Sequence, residues 1–217
     1  MTERQYLIDA MTIQDSWRLF KILAEFVDGF ERLSDIYPAV SIFGSARVQP
    51  EDPIYEKTVE IARKLAESGF NIITGGGPGV MEAGNKGASE GGAISVGLNI
   101  QLPMEQDPNS YANRKLEFKY FFIRKVMFLR YAQAYVGMPG GFGTLDEIFE
   151  ALTLIQTKRI RPFPVILVGS DYWGELWNWT KETLLKRGFI SHEDLELAMI
   201  LDEPDEVVKT IRRFVIV

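Results

Sequence analysis

The chain has 217 residues, of which 46% are hydrophobic and 25% are charged, and its formal net charge is −6. These values are typical of a soluble globular protein that is long enough to bury a sizeable core in one domain. The negative charge and the lack of a basic block disfavour nucleic-acid binding as a main role. The absence of cysteine excludes disulfides, thiolate catalysis and zinc–thiolate or iron–sulfur sites.

The N-terminal residues and the histidine content indicate where the protein is located and whether it binds a metal. Residues 1–11 carry charges and lack a continuous apolar core, so no secretory signal is evident. No run approaches the ~18 apolar residues that a membrane span needs. We therefore expect a cytoplasmic protein without a membrane partner. The single histidine, His192, lies in a polar segment that resembles the start of a helix, so we expect it at the surface and expect no metal site.

The first half of the chain predicts a helical extension followed by alternating strands and helices. Apolar residues at helical spacing over residues 13–33 predict a helix that packs across the domain or on a partner subunit, and residues 1–37 form this extension. We predict strands at residues 39–43, 70–73 and 93–96, and helices at residues 53–67 and 80–89. Residues 97–113 are polar and lack a period, which predicts a long loop.

The second half continues the alternation. We predict strands at residues 116–122, 133–136 and 164–168, and helices at residues 123–131, 144–157, 173–187 and 203–214. Short apolar strands that alternate with helices are typical of a parallel sheet covered on both faces. We therefore predict an α/β, Rossmann-like three-layer fold with a mainly parallel sheet and helices on both faces, in a single domain of residues 1–217. The helix at residues 144–157 is apolar on more than one face, which favours a homodimer.

Two glycine-rich turns each connect a predicted strand to a predicted helix. They are residues 74–79 (TGGGPG) and residues 137–143 (GMPGGFG). Such junctions direct unpaired N–H groups and the positive end of a helix dipole at one small volume, where a phosphate commonly binds. The glycines could instead reflect tight packing, and Thr144 with Glu147 fits a capping box. Two such turns in one domain nevertheless favour a ligand site.

Neither turn matches the common nucleotide-binding motifs. The dinucleotide fingerprint G-x-G-x-x-G requires glycine where the chain has Val80 and Asp146. No Gly-Lys-Ser/Thr sequence of a Walker A loop occurs, and no G-x-S-x-G elbow occurs. Hydride transfer, nucleoside triphosphate hydrolysis and ester hydrolysis are therefore disfavoured.

A few polar residues near the turns are candidates for ligand contacts. Glu82 and Asn85 share a face of the helix after the first turn, although Glu82 could instead pair with Lys86. Arg124 and Lys125 lie in a segment that is otherwise aromatic and aliphatic. A partly buried arginine there needs a carboxylate or phosphate partner, and a structural ion pair is the alternative to a ligand.

Three motifs together closely resemble the LONELY GUY (LOG) family of phosphoribohydrolases. The motifs are residues 74–83 (TGGGPGVMEA), Arg124-Lys125 and residues 139–147 (PGGFGTLDE), and the resemblance covers roughly residues 40–188. Members of the family cleave the N-glycosidic bond of cytokinin riboside 5′-monophosphates or of ordinary nucleoside monophosphates. The chain departs from the family pattern at Phe128, where methionine is frequent, and at Gln133, where aspartate is frequent. These departures leave the chemistry in place and the base specificity open.

The resemblance implies the reaction and its residues. It implies hydrolysis of AMP or a cytokinin riboside monophosphate to free base and ribose 5-phosphate, with Arg124 and Glu147 as catalytic residues. The substrate-binding residues that it implies, which include both glycine turns, are Ser45, Gly76, Gly77, Gly79, Glu82, Lys125, Pro139, Gly140, Gly141, Gly143 and Thr144. Arg47 also borders the predicted pocket. Because an arginine has a pKa above about 12, Arg124 cannot be the general acid, and the proton donor for the base stays unidentified.

Two other functions compete with this one. Some relatives carry the older label of lysine decarboxylase, which we disfavour because nothing marks a Schiff-base lysine with the residues that pyridoxal phosphate requires, and we predict no cofactor. The second alternative is a non-catalytic nucleotide-binding or molybdenum-cofactor carrier protein of the same Rossmann-like superfamily. A carrier has no need of both Arg124 and Glu147, so their presence favours an enzyme.

Overall fold

The centre of the protein is a seven-stranded parallel sheet, seen in a computed structural model that describes residues 15–101 and 108–215. The strand order is β4-β3-β2-β1-β5-β6-β7, and every neighbouring pair is parallel. The strands are β1 (Ala39–Phe43), β2 (Asn71–Thr74), β3 (Ser95–Ile100), β4 (Arg114–Phe118), β5 (Ala132–Gly137), β6 (Val165–Val168) and β7 (Ala198–Leu201).

Helices cover both faces of this sheet, which confirms the predicted three-layer α/β fold. The α-helices are α1 (Asp15–Arg32), α2 (Pro53–Glu67), α3 (Val80–Glu90), α4 (Phe121–Tyr131), α5 (Phe142–Gln156), α6 (Ser170–Trp179) and α7 (Pro204–Phe214). A π-helical turn, Thr180–Leu185, continues α6, and a 3₁₀-helix, Glu193–Leu197, precedes β7. One core lies between the sheet and α1, α4, α5 and α6, and a second core lies between the sheet and α2, α3 and α7.

Local sequence accounts for many of the element boundaries. All five residues of β1 are buried, as expected for a central strand with helices on both sides. Helix α2 begins with Pro53 after Asp52, whose side chain accepts a hydrogen bond of 2.8 Å from the Ile54 N–H. It ends before Gly69, which has a φ of 91°, a left-handed conformation that favours glycine.

Strand pairing moves several boundaries away from their predicted places. Strand β3 continues to Ile100, inside the predicted loop, because its residues pair with β4 from Val96↔Arg114 to Ile100↔Phe118. The same pairing places β4 at residues 114–118 instead of 116–122, and α4 then begins at Phe121. Strand β7 was not predicted, because it is a four-residue edge strand whose pairing with β6 is not visible in local sequence. Residues 13–14 of the predicted first helix and residues 102–107 of the predicted loop lie outside the described residues.

The N-terminal helix packs across the domain, as the first of its two predicted alternatives required. The Lys119 N–H donates to Glu25 Oε2 of α1 at 3.2 Å, and the Tyr131 hydroxyl of α4 donates to the Phe30 carbonyl at 3.2 Å. The opposite face of α1 stays exposed and carries the large apolar residues Trp17, Leu19, Phe20, Leu23 and Val27. The homodimer and the cytoplasmic location stay predictions. Among the described residues, no helix has the length and apolar character that a bilayer crossing requires.

The chain order reverses beside β1, and this reversal positions the candidate site. Strands β2 to β4 lie on one side of β1, whereas β5 to β7 lie on the other. In open parallel sheets, ligands bind at the carboxyl ends of the strands at such a point. The loop after β1 joins both glycine turns there, because the Ser45 N–H donates to the Pro139 carbonyl and the Val80 N–H donates to the Ser45 carbonyl, each at 3.0 Å.

Candidate active site

A cavity of about 740 Å³ lies at the point where the strand order reverses. Its volume is in the range of small-molecule sites, which hold roughly 300–1,000 Å³. The predicted site residues that line it are Ser45, Gly77, Arg124, Gly140, Gly141, Gly143, Thr144 and Glu147, together with Arg47. Five predicted site residues do not line the cavity, and their contacts are described below: Gly76, Gly79, Glu82, Lys125 and Pro139.

The second glycine turn is open towards the cavity. Helix α5 begins at Phe142, two residues earlier than predicted, and Gly141 is its N-cap without a side-chain hydrogen bond. Thr144 is therefore the third residue of the helix, and the alternative of a Thr144–Glu147 capping box is wrong. A Cβ added at Gly141 or Gly143 would meet no atom of the described residues within 4 Å. The first N–H groups of α5 thus stand beside open space, which suits a phosphate.

Packing closes the first glycine turn at two of its glycines. Gly76 has a φ of 74°, and a Cβ there would lie 2.4 Å from Asn99 Oδ1. Gly79 has a φ of 67°, and a Cβ there would lie 2.5 Å from the Ser45 carbonyl oxygen. The packing alternative therefore explains these two glycines, whereas Gly77 in the same turn lines the cavity.

A buried network of side-chain hydrogen bonds supports the first turn. Asn85 lies at its centre, fully buried, and accepts from the Thr74 hydroxyl at 2.6 Å. Asn109 donates from Nδ2 to Asn85 Oδ1 at 2.9 Å and to the Gly77 carbonyl at 3.0 Å. Asn85 therefore has a structural role rather than a place in the cavity lining. Sequence reasoning missed Asn109, because its only signal was a polar residue in a segment without periodicity.

Glu82 and Pro139 connect elements next to the cavity. The Tyr55 hydroxyl of α2 donates to Glu82 Oε1 at 2.9 Å, and this bond joins α2 to α3. The alternative pairing of Glu82 with Lys86 is absent among the described ion pairs. Lys86 instead lies 5.8 Å from the centroid of the Tyr55 ring. Pro139 contributes its carbonyl, which holds the loop after β1 through Ser45.

Arg124 presents a mostly buried guanidinium group to the cavity. It lies between two aromatic rings, 5.2 Å from the centroid of Phe121 and 5.7 Å from that of Phe128. Within residues 15–101 and 108–215, it makes no ion pair within 4 Å, and its buried Nε has no hydrogen-bond partner. Burial lowers the pKa of Arg124, and the nearby Glu147 and Asp146 oppose this effect. The predicted structural ion pair is thus not formed, and an anionic ligand would complete the group.

Glu147 presents a buried carboxyl group in the second turn of α5. Its exposed fraction is only 5%. Burial raises the pKa of Glu147 to about 7, with Glu150 and Asp146 adding to the rise and Lys125 and Arg124 opposing it. A carboxyl group with a pKa near neutrality can both accept and donate a proton at physiological pH. Such a group in a cavity is typical of general acid–base catalysis.

Lys125 faces the acidic residues of α5. Its Nζ lies 2.9 Å from Asp146 Oδ2, 2.8 Å from Glu150 Oε2 and 3.5 Å from Glu147 Oε2. Burial lowers the pKa of Lys125, but Asp146, Glu150 and Glu147 outweigh this effect, so that the pKa is raised overall. Lys125 is therefore a charged cation at neutral pH that the structure places outside the cavity lining.

Helix α6 adds a cavity residue that sequence reasoning missed. The Tyr172 hydroxyl donates a hydrogen bond to the Gly140 carbonyl, and Tyr172 lines the cavity. The neighbouring Trp173 is buried and donates from Nε1 to the Gly137 carbonyl at 3.0 Å. Both bonds hold the segment that contains the second glycine turn. The only signal in the sequence was that Tyr172 follows a predicted strand at the same edge of the sheet.

In the part of the chain that the structure describes, no group of three or more histidine, cysteine, aspartate or glutamate side chains is arranged to hold a metal ion. The acidic cluster of Asp146, Glu147 and Glu150 surrounds the Lys125 ammonium group instead. His192 is exposed, as predicted.

Sequence comparison relates the chain to characterised enzymes and to a sequence family. Residues 81–211 match the family described as "Possible lysine decarboxylase". An uncharacterized protein of Archaeoglobus fulgidus is 30% identical over 133 residues, which cover 60% of this chain and 83% of that protein. The cytokinin riboside 5′-monophosphate phosphoribohydrolase LOG of Oryza sativa subsp. japonica is 25% identical over 165 residues, or 74% of this chain and 66% of the rice protein. The corresponding LOG3 of Arabidopsis thaliana is 23% identical over 179 residues, or 81% of this chain and 82% of that enzyme.

Solved structures share the same fold. The X-ray structure of TM1055 superposes with a TM-score of 0.61 and 26% identity, and the match covers 81% of this chain and 99% of that one. The molybdenum cofactor binding protein of Rippkaea orientalis superposes with a TM-score of 0.60 and 19% identity, over 81% of this chain and 96% of that one. At 19% identity, the second match concerns the fold alone.

Proposed function

We propose a reaction for this chain, which belongs to the LOG family, described as "Possible lysine decarboxylase". The proposed reaction is hydrolysis of the N-glycosidic bond of a nucleoside 5′-monophosphate. The products are a free base and ribose 5-phosphate. The observation that carries the proposal is a cavity in which three features occur together: the open glycine turn, the Arg124 guanidinium, which has no ion-pair partner among the described residues, and the buried Glu147 carboxyl. The glycine turn suits the phosphate, Arg124 suits the negative charge of that phosphate, and Glu147 suits the cation that develops on the sugar.

The substrate phosphate binds at the start of α5. The N–H groups of Phe142, Gly143 and Thr144 precede the first intrahelical hydrogen bonds, and the positive end of the helix dipole adds to them. The absence of a Cβ at Gly141 and Gly143 lets a phosphate approach the backbone closely. Arg124 supplies the full positive charge that the helix terminus lacks. Ser45 lines the same cavity and offers a hydroxyl group.

Glu147 acts on the bond that breaks. Cleavage of the C1′–N bond leaves positive charge on the sugar and negative charge on the base, and a carboxylate next to C1′ stabilises the cation. Water then adds its hydroxyl to C1′, and its remaining proton must reach the nitrogen of the departing base. With a pKa of about 7, Glu147 can accept that proton from water and release it again within one turnover. Arg124 contributes charge rather than a proton, because a guanidinium group does not release its proton near neutral pH.

A non-catalytic carrier is the alternative function. It accounts for the cavity and the glycine turns, and the molybdenum cofactor binding protein of Rippkaea orientalis has the same fold. It gives no role to a carboxyl group that is buried beside the ligand and titrates near neutrality. The ionisation of Glu147 therefore favours the hydrolase.

Incubation of the purified protein with AMP tests the proposal. We expect adenine and ribose 5-phosphate in equal amounts, measured by chromatography and by a reducing-sugar assay, and no comparable release of adenine from adenosine. Binding of AMP without products would support the carrier function instead, and neither binding nor products would contradict both. Parallel reactions with AMP and a cytokinin riboside monophosphate would then identify the preferred base.

A further inference from the structure

Lys125 bridges three carboxylates that belong to α5. Glu147 and Glu150 are three residues apart and Asp146 and Glu150 are four apart, so the side chains of each of these two pairs lie on neighbouring parts of the helix. The Lys125 ammonium group lies among them at 2.8–3.5 Å, and its side chain is only 16% exposed. Among these three carboxylates, only that of Glu147 lines the cavity. The cluster therefore contacts the site through a single residue.

We infer that Lys125 is a positioning residue, which joins Glu147 to Glu150 beside the cavity and determines the pH at which Glu147 works. This inference rests on the proposed function for its kinetic consequence. It replaces the substrate contact that the sequence predicted for Lys125. With carboxylate oxygens at 2.8 Å and 2.9 Å, the ammonium group would have to break two ion pairs to reach a phosphate.

The charges around Glu147 come from three elements. Helix α4 contributes two cations, Arg124 and Lys125, and α5 contributes two anions, Asp146 and Glu150. Strand β5 contributes the Tyr135 hydroxyl, which is buried, has no hydrogen-bond partner among the described residues and is neutral at pH 7. Burial also favours the protonated form of Glu147. Of the two cations, only Lys125 lies within 4 Å of Glu147.

Removal of Lys125 and removal of its partner Glu150 should change the ionisation of Glu147 in opposite directions. Lys125→Met leaves three carboxylates close together with Arg124 as the remaining nearby cation, so Glu147 should hold its proton to a higher pH. Glu150→Gln removes an anion and leaves Lys125 to pair more strongly with Glu147, so Glu147 should release its proton at a lower pH. Opposite responses to two neighbouring substitutions cannot result from a general loss of structure.

Carbon-13 NMR of the full chain, labelled at the glutamate carboxyl carbons, tests the inference without requiring activity. The Glu147 signal is assigned by its loss in Glu147→Gln. In the wild-type protein, we expect its titration midpoint near pH 7. Lys125→Met should raise that midpoint by about one pH unit or more, and Glu150→Gln should lower it by about half a unit or more.

Lys64 provides the matched control. It also bridges two carboxylates of different helices, with its Nζ 3.0 Å from Glu60 and an ion pair to Asp205 of α7, on the opposite side of the sheet. Lys64→Met should leave the Glu147 midpoint unchanged. Midpoints that stay in place in both Lys125→Met and Glu150→Gln, or that move in the same direction, would overturn the inference. Should Lys125→Met fail to fold, a Glu147 midpoint in Glu150→Gln that stays in place or rises would still overturn the inference.

Kinetics separate this inference from the proposed function. The acidic limb of kcat/KM for AMP should follow the same order, with Glu150→Gln active at the lowest pH and Lys125→Met at the highest. A higher KM for AMP in Lys125→Met with an unchanged midpoint would show a direct substrate contact and overturn the inference. If the wild-type protein does not hydrolyse AMP, the proposed function fails, and the NMR titration still decides the role of Lys125.

Discussion

The two glycine-rich turns look alike in sequence but differ in how their backbone groups are used. In the first turn, the Gly76 N–H donates to the Thr74 hydroxyl at 3.0 Å, and the Gly76 carbonyl accepts from the Asn109 N–H at 2.9 Å. In the second turn, Gly141 is the N-cap of α5 and provides no side-chain hydrogen bond, and no described atom lies within 4 Å of a Cβ added at Gly141 or Gly143. In the first turn, both backbone groups of Gly76 are thus paired within the protein, whereas the start of α5 in the second turn has no side-chain cap.

This difference shows two separate reasons for glycine in a strand–helix turn. At Gly76, a left-handed φ and a close neighbour exclude any side chain. At Gly141, the φ of −90° is accessible to any residue, so only the need for space explains the glycine. Gly140 belongs with the packing glycines, because a Cβ there would lie 2.2 Å from Thr144 Oγ1. The turns can therefore be told apart by substitutions that affect either stability or binding.

The largest expected effect is on the chemistry next to the second turn. Glu147→Gln preserves the shape of the side chain but removes its charge and its ability to accept a proton. We expect kcat for AMP hydrolysis to fall by about 10²–10³-fold, in line with the loss of one preorganised electrostatic group. Steady-state kinetics measure this loss, and a thermal melt verifies that the variant folds. A variant with the parent rate would show that Glu147 has only a structural role.

The same substitution should stabilise the protein at alkaline pH. The pKa of Glu147 is raised from 4.5 to about 7 in the folded state, so the folded protein holds this proton more tightly than the unfolded chain. The resulting stabilisation is complete below about pH 4.5 and is lost as the pH rises towards and through 7. Between pH 5 and pH 8, Glu147→Gln should gain about 2 to 3 kcal/mol of unfolding free energy over the wild type. Urea denaturation at both pH values measures the gain, and an equal difference at both would contradict the raised pKa.

Gly76→Ala should damage the fold through the first turn. The left-handed φ of 74° and the contact of 2.4 Å with Asn99 Oδ1 together should lower the unfolding free energy by about 2 to 3 kcal/mol. Gly92→Ala is the control, because Gly92 has a φ of 78° and a Cβ added there would meet no described atom within 4 Å. It should lose only about 1 kcal/mol, from backbone strain alone. Equal losses in urea denaturation would mean that Asn99 moves aside freely.

Gly141→Ala should leave the fold intact and weaken substrate binding. Its φ and ψ, −90° and −156°, are extended and suit alanine, so the unfolding free energy should stay within about 0.5 kcal/mol. The added methyl group occupies the space in front of α5, and KM for AMP should rise about tenfold, equivalent to the loss of roughly one good hydrogen bond. A destabilised variant with an unchanged KM would show that Gly141, like Gly76, is required for the fold and not for substrate binding.

The smallest effect concerns Tyr172, which holds the second turn from α6. The Gly140 carbonyl, which accepts its hydroxyl, and the Gly141 N–H belong to one trans peptide and point in opposite directions. Tyr172→Phe removes the hydrogen bond that fixes the orientation of this peptide, and with it the direction of the Gly141 N–H. We therefore expect kcat/KM for AMP to fall by about 3- to 10-fold. Any residual activity on adenosine, which lacks the phosphate, should not change. Tyr37→Phe, at a residue that is 64% exposed, should alter neither activity. Equal losses on both substrates would show that Tyr172 does not act through the phosphate.

Much of the fold and half of the site could be predicted because their signals are local. Short apolar strands alternate with helices along the chain, and a turn that directly follows a strand must lie at the carboxyl edge of a parallel sheet. Ser45, Gly77 and residues 140–144 therefore meet in one cavity, as their positions after β1, β2 and β5 require. The edge strand β7 has no such signal, since its four residues depend on pairing with β6.

Neighbouring residues on a helix show where local signals end. Arg124 and Lys125 are adjacent in sequence, and the resemblance implies a catalytic role for the first and a substrate contact for the second, but only Arg124 lines the cavity. Consecutive side chains on a helix diverge by about 100°, so the packing of α4 against α5 decides which of them meets the ligand. Helix packing likewise explains why Glu147 lines the cavity whereas Glu82 does not. The packing of α3 against α2 places Glu82 next to the Tyr55 hydroxyl.

The sequence by itself determined the parallel α/β architecture and the two turns at one edge of the sheet, because both depend on residues close together in the chain, whereas the Arg124–Glu147 pair followed from the resemblance to the LOG family. Only the tertiary structure decided which glycine positions face open space, that Arg124 forms no ion pair with the described residues, and that burial raises the pKa of Glu147 to about 7 with Lys125 beside it. These properties depend on burial and on distances between segments far apart in sequence, such as Asn109 and Gly77 or Tyr172 and Gly140. A charge in a protein takes its strength from its surroundings, and the fold supplies those surroundings.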